Sequence, residues 1–466
     1  MNLDKPYFFC GIGGSGMLPL ALIVQGRGGH IAGSDRALDQ AKSSDKFGFL
    51  RDRGIPLFPQ DGSGVTSGDQ IFVASAAVED TVPDAMRARE LDCERLTRAE
   101  LLALLFNDAQ NRIAVGGTSG KSTVTGMIGW ILHALGRDPT VMNGAVMKNF
   151  ATPDQLFASA LVGTGPDFVS EVDESDGSIA LYRPSVAVLN NITLDHKSLD
   201  ELRHLFGGFA AKAEKVIVNM DDGEARLLAA VLPADKLVSY GLKREADLMA
   251  TGIAEEPYAI AFTVTDHRSG EAVPLKLAVP GRHNASNALA ALAAVTATGI
   301  GLGEATEALS GFTGLRRRFE LIGEAGGVTV IDDFGHNPDK IAATLQTLHA
   351  FPGRLLLFFQ PHGYNPLRTM GRELGETFIT NMAEEDVLLM PDPVYHGGTT
   401  DKSIGSAVVT DAVADHGRHA EHLPTREQCG DRLIELARPG DRIIIMGARD
   451  DTLTAFAEGL VTRLGN

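Results

Sequence analysis

Residues 112–135 read RIAVGGTSGKSTVTGMIGWILHAL. A short apolar run enters a glycine turn, and a long apolar segment follows. That order is a buried strand, a turn and a helix, with the turn at the head of the helix. Such a turn aims backbone N–H groups inward, and the helix N-terminus adds a favourable potential for anions. Lys121 can reach terminal phosphates, and Ser122 or Thr123 offers a hydroxyl to a magnesium ion. Gly116, Thr118, Gly120, Lys121, Ser122 and Thr123 are therefore candidate ATP-binding residues. The generic pattern G-x-x-x-x-G-K-[ST] is not met, because Val115 stands six places before Lys121 and Gly116 comes one place late. A chance lysine in a glycine turn would not explain why strand, turn, lysine, hydroxyl and helix coincide.

The residues downstream suit that reading. FVSEVDESD crowds Glu171, Asp173, Glu174 and Asp176 at the end of an expected strand. Carboxylates so close repel one another unless a cation, a base or water relieves them. Asp195 and His196 follow the next strand, SVAVLNNITLDH. Hard oxygens suit magnesium and an imidazole can complete its shell. A solvated acidic turn is the plainer alternative.

Working outward, residues 8–17, FFCGIGGSGM, repeat the strand-into-glycine-turn pattern as Gly11-x-Gly13-x-x-Gly16, and Asp35 ends the next strand, HIAGSD. This matches the dinucleotide fingerprint, with Asp35 near the place of the ribose acid. Physically, a glycine turn at a helix N-terminus specifies a diphosphate, which NAD and a UDP-sugar both carry. The motif alone favours NAD; the downstream phosphate loop reverses that preference. An oxidoreductase leaves GGTSGKST unexplained.

The chain has 466 residues, 52 of them glycine, and a formal net charge of -18. The strand–helix rhythm recurs throughout. The expected fold class is α/β, as three consecutive domains: a Rossmann-like N-terminal domain (1–107), a P-loop-type central ATPase domain (108–311) and a Rossmann-like C-terminal domain (312–466). Within it, 83–94 reads as a charged helix, the Ala-rich stretch from Ala285 as a helix, and AIAFTVTD with VPLKLAV as a hairpin. The acidic balance argues against nucleic acid as a partner. Three cysteines give no disulfide framework or thiolate cluster. No basic leader and no membrane-length apolar run is present, so a cytoplasmic protein without membrane insertion is expected. The His-rich tract 411–423 reads as solvated surface rather than a metal site.

In order along the chain, GIGGSGM, GSD (33–35), VASAA (73–77), RAELL (98–102), GTSGKST, EVDESDGS (171–178), NNITLDH (190–196), PGRHNASNALAA (280–291), GLRRRFE (314–320), IDDFGHNP (331–338), FQPHGY (359–364) and MGARD (446–450) resemble the Mur ligase family of peptidoglycan synthesis. The resemblance spans nearly the full length and is strongest to the branch that adds alanine. It implies three domains, the third closing over the site. It implies ATP and magnesium, with UDP-N-acetylmuramate and an amino acid, L-alanine, as partners. It implies activation of a carboxylate by phosphoryl transfer, then attack by an amine, and a monomer or weak homodimer. Carried over, Gly11, Gly13, Gly14, Ser15 and Gly16, with Asp35 nearby, bind the UDP-sugar. Lys121 and Ser122 hold ATP phosphates. Ser122, Glu174 and His196 are the metal ligands. Asn287 is the adenine-side asparagine, with Asn284 near it among the ATP-binding residues, and Arg318 and Asp333 are further nucleotide contacts. Lys121, Glu174, His196 and His336 are the catalytic candidates, with His362 close by. The chain departs from the family at Ser119 and Asn337, where histidines are usual, and at Gly363, where an arginine is. GAVMKNF (144–150) looks somewhat like the relative that adds a preformed tripeptide. A non-catalytic nucleotide-binding paralogue is the further alternative.

Overall fold

The computed structural model describes residues 3–41, 44–75, 78–193, 197–394, 401–448, 450 and 452–465. The chain forms two compact units. The first runs to Ala254 and adds Ala261–Ala278 and Asn284–Thr313; the second comprises Glu255–Ile260, Val279–His283 and the chain from Gly314.

The first unit holds a five-stranded sheet. Its spatial order is Leu57–Phe58, Ile31–Ser34, Tyr7–Cys10, Ile71–Ala74 and Glu94–Thr97, with every neighbour parallel. Tyr7–Cys10 is buried at all four positions, as a central parallel strand covered on both faces must be. The winding reverses between Tyr7–Cys10 and Ile71–Ala74, and a crevice opens at their carboxyl ends. The Gly11–Gly16 turn sits there and leads into the helix Met17–Gly26.

A ten-stranded sheet follows. Its parallel centre runs Leu237–Gly241, Lys215–Asn219, Val186–Leu189, Asn111–Gly116, Asp167–Glu171 and Thr140–Met142. In this register Val115 faces Glu171 on one side and Val188 on the other. The acidic segment and Asn190–Asn191 therefore flank the loop after Gly116. Ala259–Asp266 and Glu271–Leu277 are neighbours at one side of the sheet, joined by residues 267–270.

The second unit carries a six-stranded sheet. Glu320–Ala325 lies antiparallel to Val328–Asp333; Arg442–Gly447, Leu355–Gln360, Val387–Met390 and His419–His422 continue in parallel. Alternate residues supply two cores. Leu355, Leu357 and Phe359 belong to one, Leu356 and Phe358 to the other, as the period of two in a strand requires.

The structure differs from the sequence reading in three places. The charged helix stops at Glu90, and Glu94–Thr97 is an edge strand, whose exposed charges hide its β character. Asp92 makes the reversal at φ 54°. The Ala-rich helix begins earlier, at Arg282, and ends at Thr296. The His-rich tract contributes another edge strand, His419–His422, with His416 and His419 exposed. Among the described residues no helix is long and apolar enough to cross a membrane.

Candidate active site

The loop between Asn111–Gly116 and the helix Lys121–Ala134 is fixed by amides from neighbouring strands. Thr118 Oγ1 and the Ser119 N–H both donate to Asn191 Oδ1 at 2.8 Å. The Ser119 carbonyl accepts from Asn190 Nδ2 at 2.8 Å and Asn191 Nδ2 at 3.1 Å. Gly120 caps the helix at φ 81°; a Cβ there would lie 2.3 Å from Asn190 Nδ2 and 2.6 Å from Asn287 Oδ1. Both the left-handed backbone and the close amides require glycine.

Two acids then divide the work at the head of the helix. Lys121 Nζ donates to Glu174 Oε2 at 2.8 Å, with the side chains 20% and 5% exposed. Ser122 Oγ donates to Glu171 Oε2 at 2.7 Å. Burial pulls the Lys121 ammonium down, but Glu174, Asp173 and Glu171 outweigh it and the net shift is upward. The lysine is a cation at neutral pH. Burial pushes the Asp173 carboxyl up, yet Lys121 and the Ser175 hydrogen bonds prevail, and the net shift is downward.

In the first turn, the Gly13 N–H donates to Asp35 Oδ2 at 2.8 Å, and Asp35 Oδ1 accepts from the Ala37 N–H at 2.8 Å. A Cβ on Gly13 would sit 3.0 Å from that carboxylate and from Phe47. Asp35 therefore organises the turn and caps the next helix. Arg98 Nη2 lies 3.6 Å from Asp176 Oδ2. A cleft of about 390 Å³ is lined by Gly11, Gly14, Ser15 and Gly16 of the first turn, by Ser75 and Arg98, and by Lys121, at the head of the helix after the second turn, with Asn143, Glu171 and Asp173. Gly13 and Asp35 are not among its lining residues.

In the second unit, Asp333 Oδ1 accepts from the Gly335 N–H at 2.8 Å and Thr344 Oγ1 at 3.0 Å, and Oδ2 from the Phe319 N–H at 2.9 Å. Arg318 stacks on Phe334 at 4.2 Å. His336 Nδ1 is 2.9 Å from the Phe334 carbonyl. A carbonyl only accepts, so Nδ1 carries the proton and Nε2 keeps its lone pair. Burial, with Lys340, His362 and Arg318 adding to it, lowers His336 to about 3. The imidazole is neutral at physiological pH.

A pH dependence follows. The unfolded chain takes up this proton near pH 6.5, and the folded chain does not until about 3. The stability contributed by the neutral ring is complete above about 6.5 and is lost as pH falls below it. Urea unfolding of the second unit at pH 7 and pH 5 checks this. His336→Asn should flatten the decline by up to about 1.4 kcal/mol per pH unit; an identical slope in the variant would refute it.

Several sequence-predicted residues have local duties. Asn287 Nδ2 donates to Asn284 Oδ1 at 3.2 Å, and both residues are buried. Asn337 caps the helix Pro338–His349, its side chain accepting from the Lys340 N–H at 3.1 Å. Past Gly363, where the arginine usual in the family is missing, Arg368 Nη1 pairs with Asp401 at 3.3 Å. Asn149, within GAVMKNF, holds the Gly311 carbonyl at 2.8 Å and the Thr313 N–H at 2.9 Å. His196 and Asp195 lie outside the described residues. Sequence reasoning missed Arg98, Asn143, Asn190 and the Glu171–Ser122 pair. Among the described residues no three His, Cys, Asp or Glu side chains form a metal-holding group.

A glycine turn and the head of the helix after a second one, meeting at one cleft with Lys121 and Arg98 in its walls, define a phosphate-binding α/β protein. The chain belongs to the Mur ligase family: residues 6–110 match the family's catalytic domain, 115–295 the Mur ligase middle domain, and 317–449 the Mur ligase glutamate ligase domain. A curated relative, the UDP-N-acetylmuramate–L-alanine ligase of Cereibacter sphaeroides, is 35% identical, over 98% of this chain and 96% of its own. Among solved structures, the UDP-N-acetylmuramate-alanine ligase of Thermotoga maritima superimposes with a TM-score of 0.77 at 24% identity, covering 98% and 99% of the two chains. A murein peptide ligase of Psychrobacter arcticus gives 0.71 at 24% identity, covering 99% of each. These two likenesses show the same fold.

Proposed function

We propose that the protein is an ATP-dependent ligase that joins L-alanine to the lactyl carboxylate of UDP-N-acetylmuramate. The observation that carries this reading is the shared cleft: the Gly11–Gly16 turn and Lys121 line the same walls. A sugar-nucleotide diphosphate on one turn and a triphosphate on the other are thereby brought within reach of each other. The curated relative named above carries this activity in its name over 96% of its length.

The lactyl carboxylate oxygen attacks the γ-phosphorus, and the bond to the ADP oxygen breaks. Lys121 stabilises charge on the transferring oxygens. The resulting acyl phosphate is attacked by the amino group of alanine at its carbonyl carbon, and phosphate leaves. The amine must lose a proton to a base within its reach. Arg98, which lies against Gly16, supplies a cation for the diphosphate.

The donor set fits magnesium. The Ser122 hydroxyl and the Glu171 carboxylate are hard oxygens at the loop, and magnesium needs only one or two protein oxygens beside phosphates and water. Ser122 and Glu171 would hold it, with Glu174 available once Lys121 turns to phosphate. When bound, the ion supplies further neutralisation of phosphate charge.

The test is phosphate release from ATP and magnesium with UDP-N-acetylmuramate, across single amino acids and the cell-wall tripeptide, with mass spectrometry of the product. Release and ligation with alanine alone is the expected result. Ligation only with the tripeptide would change the acceptor and keep the chemistry. No sugar-dependent release with any amine would favour a paralogue that binds nucleotide without turnover.

A further inference from the structure

We propose that Gly144 is a positioning residue for the carboxylate of Glu171: its bare Cα leaves the space in which that side chain reaches Ser122. The inference rests on the ATP and magnesium reading above.

The placement starts in the sheet. Met142 ends the strand Thr140–Met142 opposite Ser170. The residues after each of them, Asn143–Gly144 and Glu171, therefore come together at the carboxyl end of the sheet, and all three line the cleft with Lys121. Asn143 fastens the turn. Its N–H donates to the Ser159 carbonyl at 2.9 Å and its Nδ2 to the Ser122 carbonyl at 3.0 Å, while its Oδ1 accepts from the Ala145 N–H at 3.1 Å. Ser122 is thereby tied twice, its carbonyl to Asn143 and its hydroxyl to Glu171 Oε2 at 2.7 Å.

Gly144 stands against the other oxygen. A Cβ there would lie 2.1 Å from Glu171 Oε1 and 3.0 Å from its Cδ. The φ of Gly144 is outside the left-handed region, so the backbone conformation does not call for glycine. The approach of the carboxylate does. With alanine at 144 the oxygen must retreat by about 1 Å or more to reach van der Waals contact. It is the far end of a flexible side chain, so the retreat leaves the fold intact. The loss falls on the ion. Magnesium demands near-ideal octahedral geometry, and changes behind a ligand lower metal affinity about 10- to 100-fold.

ATP binding to the full-length protein is measured by calorimetry with magnesium and with EDTA, alongside thermal unfolding of the ligand-free variants. The ratio of the two affinities reads the contribution of the ion. Gly144→Ala should lower this ratio at least about tenfold and leave the melting temperature unchanged. Glu171→Ala removes the atoms that a methyl group at 144 would meet. It should lower the ratio as far or further, and Gly144→Ala added to it should do nothing more. An unchanged ratio in Gly144→Ala would overturn the proposal, as would a further, additive loss in the double variant. A melting loss that Gly144→Ala still causes in the Glu171→Ala background would make glycine a requirement of the fold instead. An unaltered protein that binds ATP equally with and without magnesium would remove the metal reading of Ser122 and Glu171, and this inference with it.

Discussion

Replacing Lys121 by methionine is expected to lower sugar-dependent phosphate release about a thousandfold, the scale of losing a donor aimed at developing charge. The same change should destabilise the ligand-free protein. Glu174 is 5% exposed and its cation is Lys121 at 2.8 Å. Without the ammonium, a buried carboxylate stands uncompensated, which costs about 3 kcal/mol in comparable buried pairs. The double variant K121M/E174Q removes the orphan charge. It should recover the melting temperature of the unaltered protein and recover none of its turnover. That split separates the two duties of the lysine: holding the cleft together while it is free of ligand, and stabilising phosphoryl oxygens when it is filled. Single-turnover phosphate release and thermal unfolding on the three proteins read it directly. Unchanged release in K121M would remove this loop from the chemistry.

The loop itself was legible because its chemistry is local. Backbone N–H donors at a helix head need glycine, a strand before and a helix after, all within 24 consecutive residues, 112–135. What surrounds it was legible only as composition. Glu171 closes the strand Asp167–Glu171 and three more acids follow it, and nothing in their order says which one reaches the hydroxyl and which the lysine. The pairing of Val115 with Glu171 decides it: Glu171 takes Ser122 and Glu174 takes Lys121. The supports of the loop come from Asn190 and Asn191, distant in sequence and unremarkable in type. Asp35 shows the opposite case. Its spacing suggested a ribose contact, and in the structure its two oxygens accept from the N–H groups of Gly13 and Ala37. Spacing identifies where a carboxylate stands and not which donors reach it first. The two edge strands, Glu94–Thr97 and His419–His422, escaped for a related reason: an edge carries polar residues on positions that a central strand fills with apolar ones.

Arg317→Met should give the largest loss of stability in the second unit, about 3–5 kcal/mol, because it strips the partner from a buried carboxylate. Asp332 is 0% exposed and Arg317 10%. Arg317 Nε donates to both oxygens of Asp332, at 3.3 and 3.2 Å, and its remaining nitrogens donate to the carbonyls of Asp450 at 2.9 Å and Gly447 at 2.8 Å. Burial pushes the Asp332 carboxyl up, and Arg317 and Thr454 only partly oppose it, so the net shift is upward. A carboxyl raised in the folded state binds its proton more tightly there than in the unfolded chain. Its ionisation therefore costs stability as pH rises above the unfolded value of about 3.9. Methionine at 317 raises the carboxyl further, so the deficit of the variant against the unaltered protein should shrink as pH falls from 7 to 5. R317M/D332N removes the charge altogether and should recover most of the loss at pH 7. Hydrogen exchange of the Val328–Asp333 amides, followed through urea unfolding, reports on this unit alone. A deficit that is the same at both pH values and untouched by Asp332→Asn would place the contribution of Arg317 in its two carbonyl contacts instead. The loop would then be held by hydrogen bonds to the Gly447 turn, with the ion pair a bystander.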